Sequence, residues 1–189
     1  MKPSRCSPDV MRSIILPTVA GMATEGRPYT GVLYAGLMLT PSGIRTLEFN
    51  ARFGDPEAQV VLPRLDSDFV TLALAAAKGT LASLPDPTWS PRAAVGVVVA
   101  SANYPDDALV KSGFQISGLA EMPRGVQIFH AGTKFEPGRG LVTDGGRVVT
   151  SVALGDTVAE AREKALAGAR QVRFQGAFFR TDIAEEAVG

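Results

Sequence analysis

The sequence predicts an α+β fold in two parts: a mixed sheet with helices, followed by a small, mainly β domain with one long helix. Two apolar, β-rich segments, 29–40 and 44–53, flank the turn "TPSG". The proline-rich segment "SLPDPTWSPR" at 83–92 then interrupts the pattern. Beyond it the chain is glycine-rich and β-like until one helical pattern at 156–172. Strand-like and helix-like periods in this order, separated by such a break, indicate an α+β chain with two domains.

The first predicted element is a helix over 8–25, where apolar residues recur at helical spacing. Ser7 or Asp9 can cap its start, because both side chains accept hydrogen bonds from the free N–H groups of a first turn. Pro17 lies inside the pattern and should kink or divide the helix, since proline has no N–H to donate.

Two strands and a second helix should follow. The segment 29–40 is mostly apolar, as expected of a central strand, although Gly31 and Gly36 weaken it and often mark a close approach by backbone or ligand. The segment 44–53 should return antiparallel to it after the turn. An acidic start and a Lys-Gly stop predict a helix over 66–79.

The proline-rich break is interpreted as a linker, which divides the chain into domains 1–88 and 89–189. After it, "AAVGVVVAS" at 93–101 predicts a buried strand, and "GFQISGL", "GVQIFHAG" and "GRVVTSVAL" are further β-like segments. Asp156 or Thr157 can cap the long helix that follows them.

The composition excludes several classes of protein. The 189 residues are 46% hydrophobic and 20% charged, and 19 basic side chains balance 19 acidic ones, so no net field attracts nucleic acid or a membrane surface. Cys6 is the single cysteine, which rules out an internal disulfide, and no Cys/His cluster suggests a zinc site. The sequence shows no signal peptide and no apolar run near the roughly 20 residues of a membrane helix. We expect a soluble, cytoplasmic protein.

The segment "LEFNARFGDPE" at 47–57 places polar side chains along an apolar strand. Alternation assigns one face, expected to be core, to Arg45, Leu47, Phe49, Ala51 and Phe53. It assigns the other face to Ile44, Thr46, Glu48, Asn50 and Arg52. Glu48 and Asn50 are then roughly 6.5 to 7 Å apart along the strand, and their oxygens suit Mg²⁺, while Arg52 suits a phosphate. The alternative is an ordinary solvated strand face.

Asp55 has two interpretations. Followed by Pro56 and Glu57, it fits the N-cap of a helix with proline in the first turn. It also lies where the polar strand face ends, so it can equally face a substrate.

The sequence "EFNARFGDPEAQ" resembles a motif of the phosphoribosylamine–glycine ligase family, in the ATP-grasp superfamily. The segments "ILPTVAGMATEGRPYTGVLYAGLM", "YP", "FHAGTK", "VTDGGRVVTSVALGDTVAEAREKA" and "FFRTDIA" resemble the family in the same order. Other ATP-grasp enzymes share the Glu-x-Asn pattern but not the Arg-Phe-Gly-Asp-Pro-Glu continuation. The resemblance covers nearly the whole chain.

The resemblance implies an activity and roles for four residues. The family uses ATP to join glycine to 5-phosphoribosylamine, through an acyl phosphate of glycine, in the second step of purine synthesis. It makes Glu48 and Asn50 the ligands that hold Mg²⁺ or Mn²⁺ against the ATP phosphates. It assigns Arg52 to the transferred phosphate and Asp55 to the substrate amine.

The front of the family's chain has no counterpart in this sequence. Residues 1–88 would be the end of an ATP-grasp domain, and 89–189 the family's small C-terminal domain. The lysines and adenine pocket for ATP are missing, so we expect no activity from the chain alone and a partner that carries the N-terminal half. A split gene product, a truncated chain and a fragment all fit.

Two other functions compete with this one: another ATP-grasp carboxylate–amine ligase, and a non-catalytic remnant that only binds a partner. Among the remaining residues, His130 is expected to be packed or hydrogen-bonded and Trp89 to pin the two domains together. Lys134 and Arg147 are interpreted as surface residues, with contact to the ribosylamine phosphate as the alternative.

Overall fold

The computed structural model describes residues 7–188, which leaves Cys6 and the side chain of Ser7 outside the description. The chain divides into two compact units. We call Met1–Gly54 with Ser67–Pro87 the hairpin unit, and Asp55–Asp66 with Thr88–Gly189 the core unit. No helix within the described residues is both long and apolar enough to cross a bilayer.

The hairpin unit begins with a helical segment in three pieces: α1 (Ser7–Val10), a π-helical turn (Met11–Ile15) and α2 (Leu16–Thr24). Pro17 is the second residue of α2, directly after the π-helical turn. The predicted division of the helix is therefore confirmed, since the hydrogen-bond pattern changes where proline supplies no N–H.

Two antiparallel strands follow, β1 (Tyr34–Thr40) and β2 (Gly43–Asn50). The predicted hairpin is confirmed, but the expected central strand is wrong. Within residues 7–188, β1 pairs only with β2, so the sheet has two antiparallel strands rather than a mixed set. An apolar run predicts a strand whose two faces can be buried, but it does not predict whether another strand pairs with each of its edges.

The face of β2 expected to be core is largely exposed. Leu47 is 64% exposed and Phe49 43%, and Leu39 on β1 is 56% exposed. The alternation also ends earlier than predicted, because β2 stops at Asn50. Phe53 lies beyond the strand and packs against Phe69, with ring centroids 5.8 Å apart.

The second helix of the hairpin unit is α4 (Phe69–Ala77), within the predicted range 66–79. The Asp68 side chain caps it by accepting a hydrogen bond from the Thr71 N–H at 2.6 Å. Gly79 has φ +68°, so the predicted Lys-Gly stop is confirmed.

The core unit contains α3 (Ala58–Val61), a 3₁₀ turn (Leu62–Arg64) and further strands, turns and one long helix. These are β3 (Ala93–Ala100), a 3₁₀ turn (Leu119–Glu121), β4 (Val126–His130), β5 (Thr133–Glu136), β6 (Gly140–Thr143), β7 (Arg147–Gly155) and α5 (Val158–Gln171). A last 3₁₀ turn spans Glu185–Ala187. The strands form an antiparallel sheet in the order β3-β7-β4 and a separate β5-β6 pair.

The core of this unit lies between α5 and the three-stranded sheet. Its apolar residues include Val97, Val99, Val148, Ala161, Ala165 and Ala169, each 0% exposed. Ser151 on β7 is buried as well and donates its hydroxyl to the Ala165 carbonyl at 2.8 Å. Small residues on α5 let the helix pack closely against β7, and this close packing holds β7 firmly in its place in the sheet.

Three details of the second half differ from the expectations. "GFQISGL" forms only isolated bridges, Gln115 to Val142 and Ser117 to Arg173. Of the two candidate caps of α5, Thr157 is the one that accepts from the Glu160 N–H. Residues 84–92 are irregular, apart from a bridge between Trp89 and Leu65. The domain boundary after residue 88 stays a prediction.

Candidate active site

The predicted metal ligands lie side by side on the hairpin. Asn50 Nδ2 donates to Glu48 Oε1 at 2.9 Å, so the two side chains share a face of β2 as the alternation predicts. Glu48 is exposed and Asn50 half-buried. A carboxylate and an amide oxygen within reach of each other can hold a hard divalent cation when phosphate or water oxygens complete its coordination.

Gly36 makes room for this pair. It is the register partner of Glu48 across the hairpin, and a Cβ built on it would lie 3.1 Å from Glu48 Cγ. The register shifts between Gly36 and Leu37, which pair with Glu48 and Thr46, so Leu47 is the extra residue of a bulge on β2 beside the polar pair. The closest neighbour of Gly36 is therefore a side chain of the facing strand, whereas the prediction named backbone or ligand.

Arg52 does not share the strand face predicted for it. It lies in the bend after β2, and its Nη1 donates to the Phe53 carbonyl at 2.8 Å. The correction follows from the early end of β2, because alternation orients side chains only while the backbone remains extended. The guanidinium is exposed and keeps further donors for an anion.

Asp55 is not the helix N-cap. The N-cap position of α3 is Glu57, whose side chain makes no capping hydrogen bond. Asp55 stands two residues before it, and its carboxylate accepts from two side chains instead. Gln59 Nε2 donates to Oδ1 at 2.9 Å, and Arg147 Nη2 donates to Oδ2 at 3.1 Å. Arg147 Nη1 also donates to the Asp55 backbone carbonyl at 2.6 Å.

These contacts lie at a pocket of about 570 Å³ within the core unit. Its lining residues are Asp55, Tyr104, Pro105, Asp107, Ala131, Gly132, Gly146 and Arg147. A Cβ on Gly146 would lie 2.5 Å from the Tyr104 ring, so glycine is required for the ring to occupy its place in the wall. With two carboxylates and one guanidinium, the lining has excess negative charge and suits an amine ligand.

The structure thus brings Glu48 to Asn50 and Asp55 to Arg147. The first pair belongs to the hairpin unit and the second to the core unit. Within residues 7–188, no group of three or more His, Cys, Asp or Glu side chains could hold a metal by itself. A cation held by Glu48 and Asn50 would therefore take most of its ligands from a bound phosphate and water, as Mg²⁺ sites on nucleotides do.

Sequence reasoning missed Gln59 and did not connect Arg147 with Asp55. Gln59 stands four residues after Asp55, a spacing at which side chains meet on a helical turn, so this signal was available. Arg147 is 92 residues away from Asp55, and its contact depends on the tertiary fold. His130 is exposed, and its Nδ1 is hydrogen-bonded to Thr133 Oγ1 at 3.2 Å. Of the two expectations for His130, packed or hydrogen-bonded, the structure shows the hydrogen bond.

Two family models match the chain. Residues 2–58 match "Phosphoribosylglycinamide synthetase, ATP-grasp (A) domain", and residues 94–186 match "Phosphoribosylglycinamide synthetase, C domain". The two matches lie on either side of the proline-rich segment.

Curated relatives and a solved structure agree. Phosphoribosylamine–glycine ligase of Caulobacter vibrioides is 53% identical over 173 residues, which are 91% of this chain and 40% of that relative. The protein of the same name from Vibrio vulnificus is 46% identical over 95% of this chain and 41% of its own length. A crystal structure of phosphoribosylamine–glycine ligase from Thermotoga maritima matches with a TM-score of 0.72 at 38% identity, covering 87% of this chain and 40% of that one.

This chain therefore spans about 40% of the length of the relatives it matches. The matches cover both parts of the chain, they include the segment that carries Glu48, Asn50, Arg52 and Asp55, and they extend to the solved fold. The predicted resemblance is confirmed, and the chain belongs to the phosphoribosylamine–glycine ligase family.

Proposed function

We propose that this chain supplies the metal-binding part of an ATP-dependent ligase that joins glycine to 5-phosphoribosylamine, giving glycinamide ribonucleotide, ADP and phosphate. The observation that carries the proposal is the Glu48–Asn50 pair, hydrogen-bonded at 2.9 Å on an exposed strand face in a family segment. A carboxylate and an amide oxygen so close together are the hard oxygen ligands that Mg²⁺ prefers.

The donor chemistry of this pair fits a divalent cation. Glu48 contributes a carboxylate and Asn50 an amide oxygen, both hard ligands that suit Mg²⁺ or Mn²⁺. When bound, the cation would neutralise charge on the ATP phosphates during transfer. The Glu48 carboxylate, already contacted by the Asn50 amide, would turn from that donor to the cation.

The reaction has two steps, and two further residues have proposed roles in them. First, the glycine carboxylate attacks the γ-phosphorus of ATP, and glycyl phosphate and ADP form. The amine of 5-phosphoribosylamine then attacks the glycyl carbonyl carbon, phosphate leaves and the nitrogen loses a proton. Arg52 would donate to the transferred phosphate through its free N–H groups. Asp55, in a pocket with excess negative charge, would accept hydrogen bonds from the amine.

The rest of the enzyme is proposed to be the N-terminal half of the family's chain. Two observations support this. The chain spans about 40% of its relatives' length, and apolar residues of the hairpin lie exposed, including Leu47 at 64%. Domains 1–88 and 89–189 would then be the end of the ATP-grasp domain and the C-terminal domain.

Complementation tests the proposal. The 189-residue chain alone should turn over no ATP in the presence of glycine and 5-phosphoribosylamine. Adding the separately expressed N-terminal part of the Caulobacter vibrioides relative should give glycinamide ribonucleotide and ADP in equal amounts. ATP turnover by the chain alone would contradict the proposal that activity requires the N-terminal half. Folded parts that associate without activity would favour the non-catalytic remnant.

Site variants in the complemented enzyme then test the metal assignment. Glu48→Gln and Asn50→Leu should each lower turnover by about 100-fold or more, because charge developing on the phosphates loses a held cation. Glu163→Gln, the same chemical change as Glu48→Gln on the exposed face of α5, should leave turnover unchanged. Full activity of Glu48→Gln would overturn the assignment in favour of a solvated strand face.

A further inference from the structure

We propose that Gln59 and Arg147 are positioning residues that together fix the carboxylate of Asp55. The inference rests on the proposed function, in which Asp55 meets the substrate amine. Gln59 and Arg147 are added to the proposed site as residues that act through Asp55 and contact no reacting atom. Its basis is the set of four hydrogen bonds around Asp55 and Gly132, each made by a described residue of the core unit.

Each oxygen of the Asp55 carboxylate has its own donor. Gln59 Nε2 holds Oδ1 at 2.9 Å, and Arg147 Nη2 holds Oδ2 at 3.1 Å. The second Arg147 nitrogen, Nη1, holds the backbone carbonyl of the same residue at 2.6 Å. The side chain and main chain of Asp55 are therefore tied to one planar guanidinium, which sets the side-chain rotamer as well as its place in the pocket.

Gln59 contributes this hydrogen bond at a cost. Its other amide atom, Oε1, is buried and has no hydrogen-bond partner. The amide cannot gain by rotating, because rotation would place Oε1 against the Asp55 carboxylate, and two acceptors repel. A buried acceptor without a partner destabilises a fold, so its presence at Gln59 calls for an explanation. Leucine would fill this place without an orphaned atom, so the amide serves Asp55.

Arg147 is well anchored and contributes little to stability through its ion pair. The Arg147 and Asp55 side chains are 36% and 46% exposed, and ion pairs so open to solvent are weak. The Arg147 backbone, however, starts β7, and its carbonyl accepts from the Gly132 N–H at 2.8 Å. The next two residues, Val148 and Val149, are fully buried. The guanidinium thus projects from a rigid strand, as precise positioning requires.

This arrangement leaves acceptor capacity on Asp55 for a ligand. A carboxylate offers about four lone-pair directions, and the two side-chain donors use one on each oxygen. The remaining directions can accept the N–H groups of an amine. A carboxylate held at both oxygens cannot swing away, so the amine would be held on a fixed line for attack on the carbonyl carbon.

One test needs only the isolated chain. The NMR resonance of the Asp55 Cγ carbon reports donors on either oxygen. Gln59→Leu and Arg147→Met should each shift it, and the double variant should shift it further. Arg139→Met is the matched control, because Arg139 likewise holds a carboxylate and a carbonyl, those of Glu136 and Gly113, outside the pocket. If neither pocket variant moves the resonance more than the control does, Gln59 and Arg147 do not hold the Asp55 carboxylate in solution.

A second test uses the complemented enzyme. Gln59→Leu and Arg147→Met should raise KM for 5-phosphoribosylamine and lower kcat for ligation by up to about 100-fold. KM for ATP and for glycine should stay near wild type, and ADP should form in excess of the amide product, since acyl phosphate forms but is attacked poorly. Arg147→Lys keeps the positive charge but not the paired N–H donors of the guanidinium, so it should recover part of the lost kcat. A purely structural role would lower all steps together.

The outcomes separate the two proposals. If Asp55→Asn leaves ligation intact, the role of Asp55 in the proposed function is wrong, whatever the NMR shows. If Asp55→Asn abolishes ligation while Gln59→Leu and Arg147→Met match the Arg139→Met control, then Asp55 acts without being positioned by Gln59 and Arg147, and this inference is overturned. Uncoupled ADP formation in both pocket variants supports it.

Discussion

The hairpin unit and the core unit both contain apolar strand and helix segments, but their apolar side chains differ greatly in burial. Of the apolar side chains buried in residues 7–188, Ala75 alone belongs to the hairpin unit, and all others belong to the core unit. β1 and β2 form a two-stranded sheet with Leu47 64% exposed, whereas β7 is central to three strands and has fully buried valines. A two-stranded sheet is marginal by itself. Apolar periodicity therefore identifies the apolar face of an element. Only the fold shows whether other residues of the chain bury that face.

The largest expected effect concerns close packing in the core unit. Gly118 has φ +83°, and a Cβ on it would collide with the Gln171 carbonyl oxygen at the end of α5. Gly118→Ala should lower the free energy of unfolding by about 4 kcal/mol or more, a loss typical of a forced backbone shift. Denaturant unfolding followed by the fluorescence of Trp89, which belongs to this unit, measures it.

Gly138→Ala is the matched control for that variant. Gly138 has a similar φ of +80°, but nothing lies within 4 Å of the position that a Cβ would take there. Only the left-handed backbone conformation is then unfavourable for alanine, which costs about 1–2 kcal/mol. Equal losses for the two variants would show that α5 does not pack as closely in solution as described.

A pair of truncations compares the two units directly. Val97 is 0% exposed and Leu47 is 64% exposed. Val97→Ala should lower the free energy of unfolding by about 2 kcal/mol, from lost burial and the cavity left behind. Leu47→Ala in the isolated chain should change it by about 0.5 kcal/mol or less, as exposed substitutions do. Circular dichroism during denaturation measures both.

The Leu47 result would also correct an inference from the sequence. Alternation predicts Leu47 in a core, where truncation would leave a cavity, yet in this chain the side chain faces solvent. A loss for Leu47→Ala as large as that for Val97→Ala would mean that the hairpin face is covered in solution, by a second copy or by a shift of the hairpin. Measurements at several protein concentrations distinguish the two, since only self-association depends on concentration.

Local signals in this sequence predicted structure well, and contacts between distant segments could not be predicted. The acidic start of the helix predicted over 66–79, the shared face of Glu48 and Asn50 and the helix after Thr157 all depend on residues within four positions of one another. The pairing of Asp55 with Arg147 spans 92 residues, so no local pattern contains it. The early end of β2 moved Arg52 off its expected face because alternation cannot show where a strand stops.

The smallest expected effect compares the acidic residues at the starts of α4 and α5, one helix in each unit. The Thr71 hydroxyl and N–H hydrogen-bond to the Asp68 carboxylate and lower its pKa from the usual value. Lys164, and then the Asp156 N–H, do the same for the pKa of Glu160. A carboxylate with a lowered pKa in the folded state stabilises the fold above its unfolded pKa of about 4, and this contribution disappears as the pH falls through the folded pKa.

Asp68→Asn and Glu160→Gln remove these charges but keep the side-chain size and an acceptor oxygen. Amide hydrogen exchange of α4 and α5 should show each variant less protected than wild type at neutral pH and equal to it in acid. Added salt should shrink the difference for Glu160→Gln, because Lys164 forms an exposed ion pair with Glu160. It should leave Asp68→Asn nearly unchanged, since the Asp68 cap consists of short local hydrogen bonds from Thr71. The same salt response in both helices would contradict this assignment of causes, because one kind of interaction would then stabilise both helix starts.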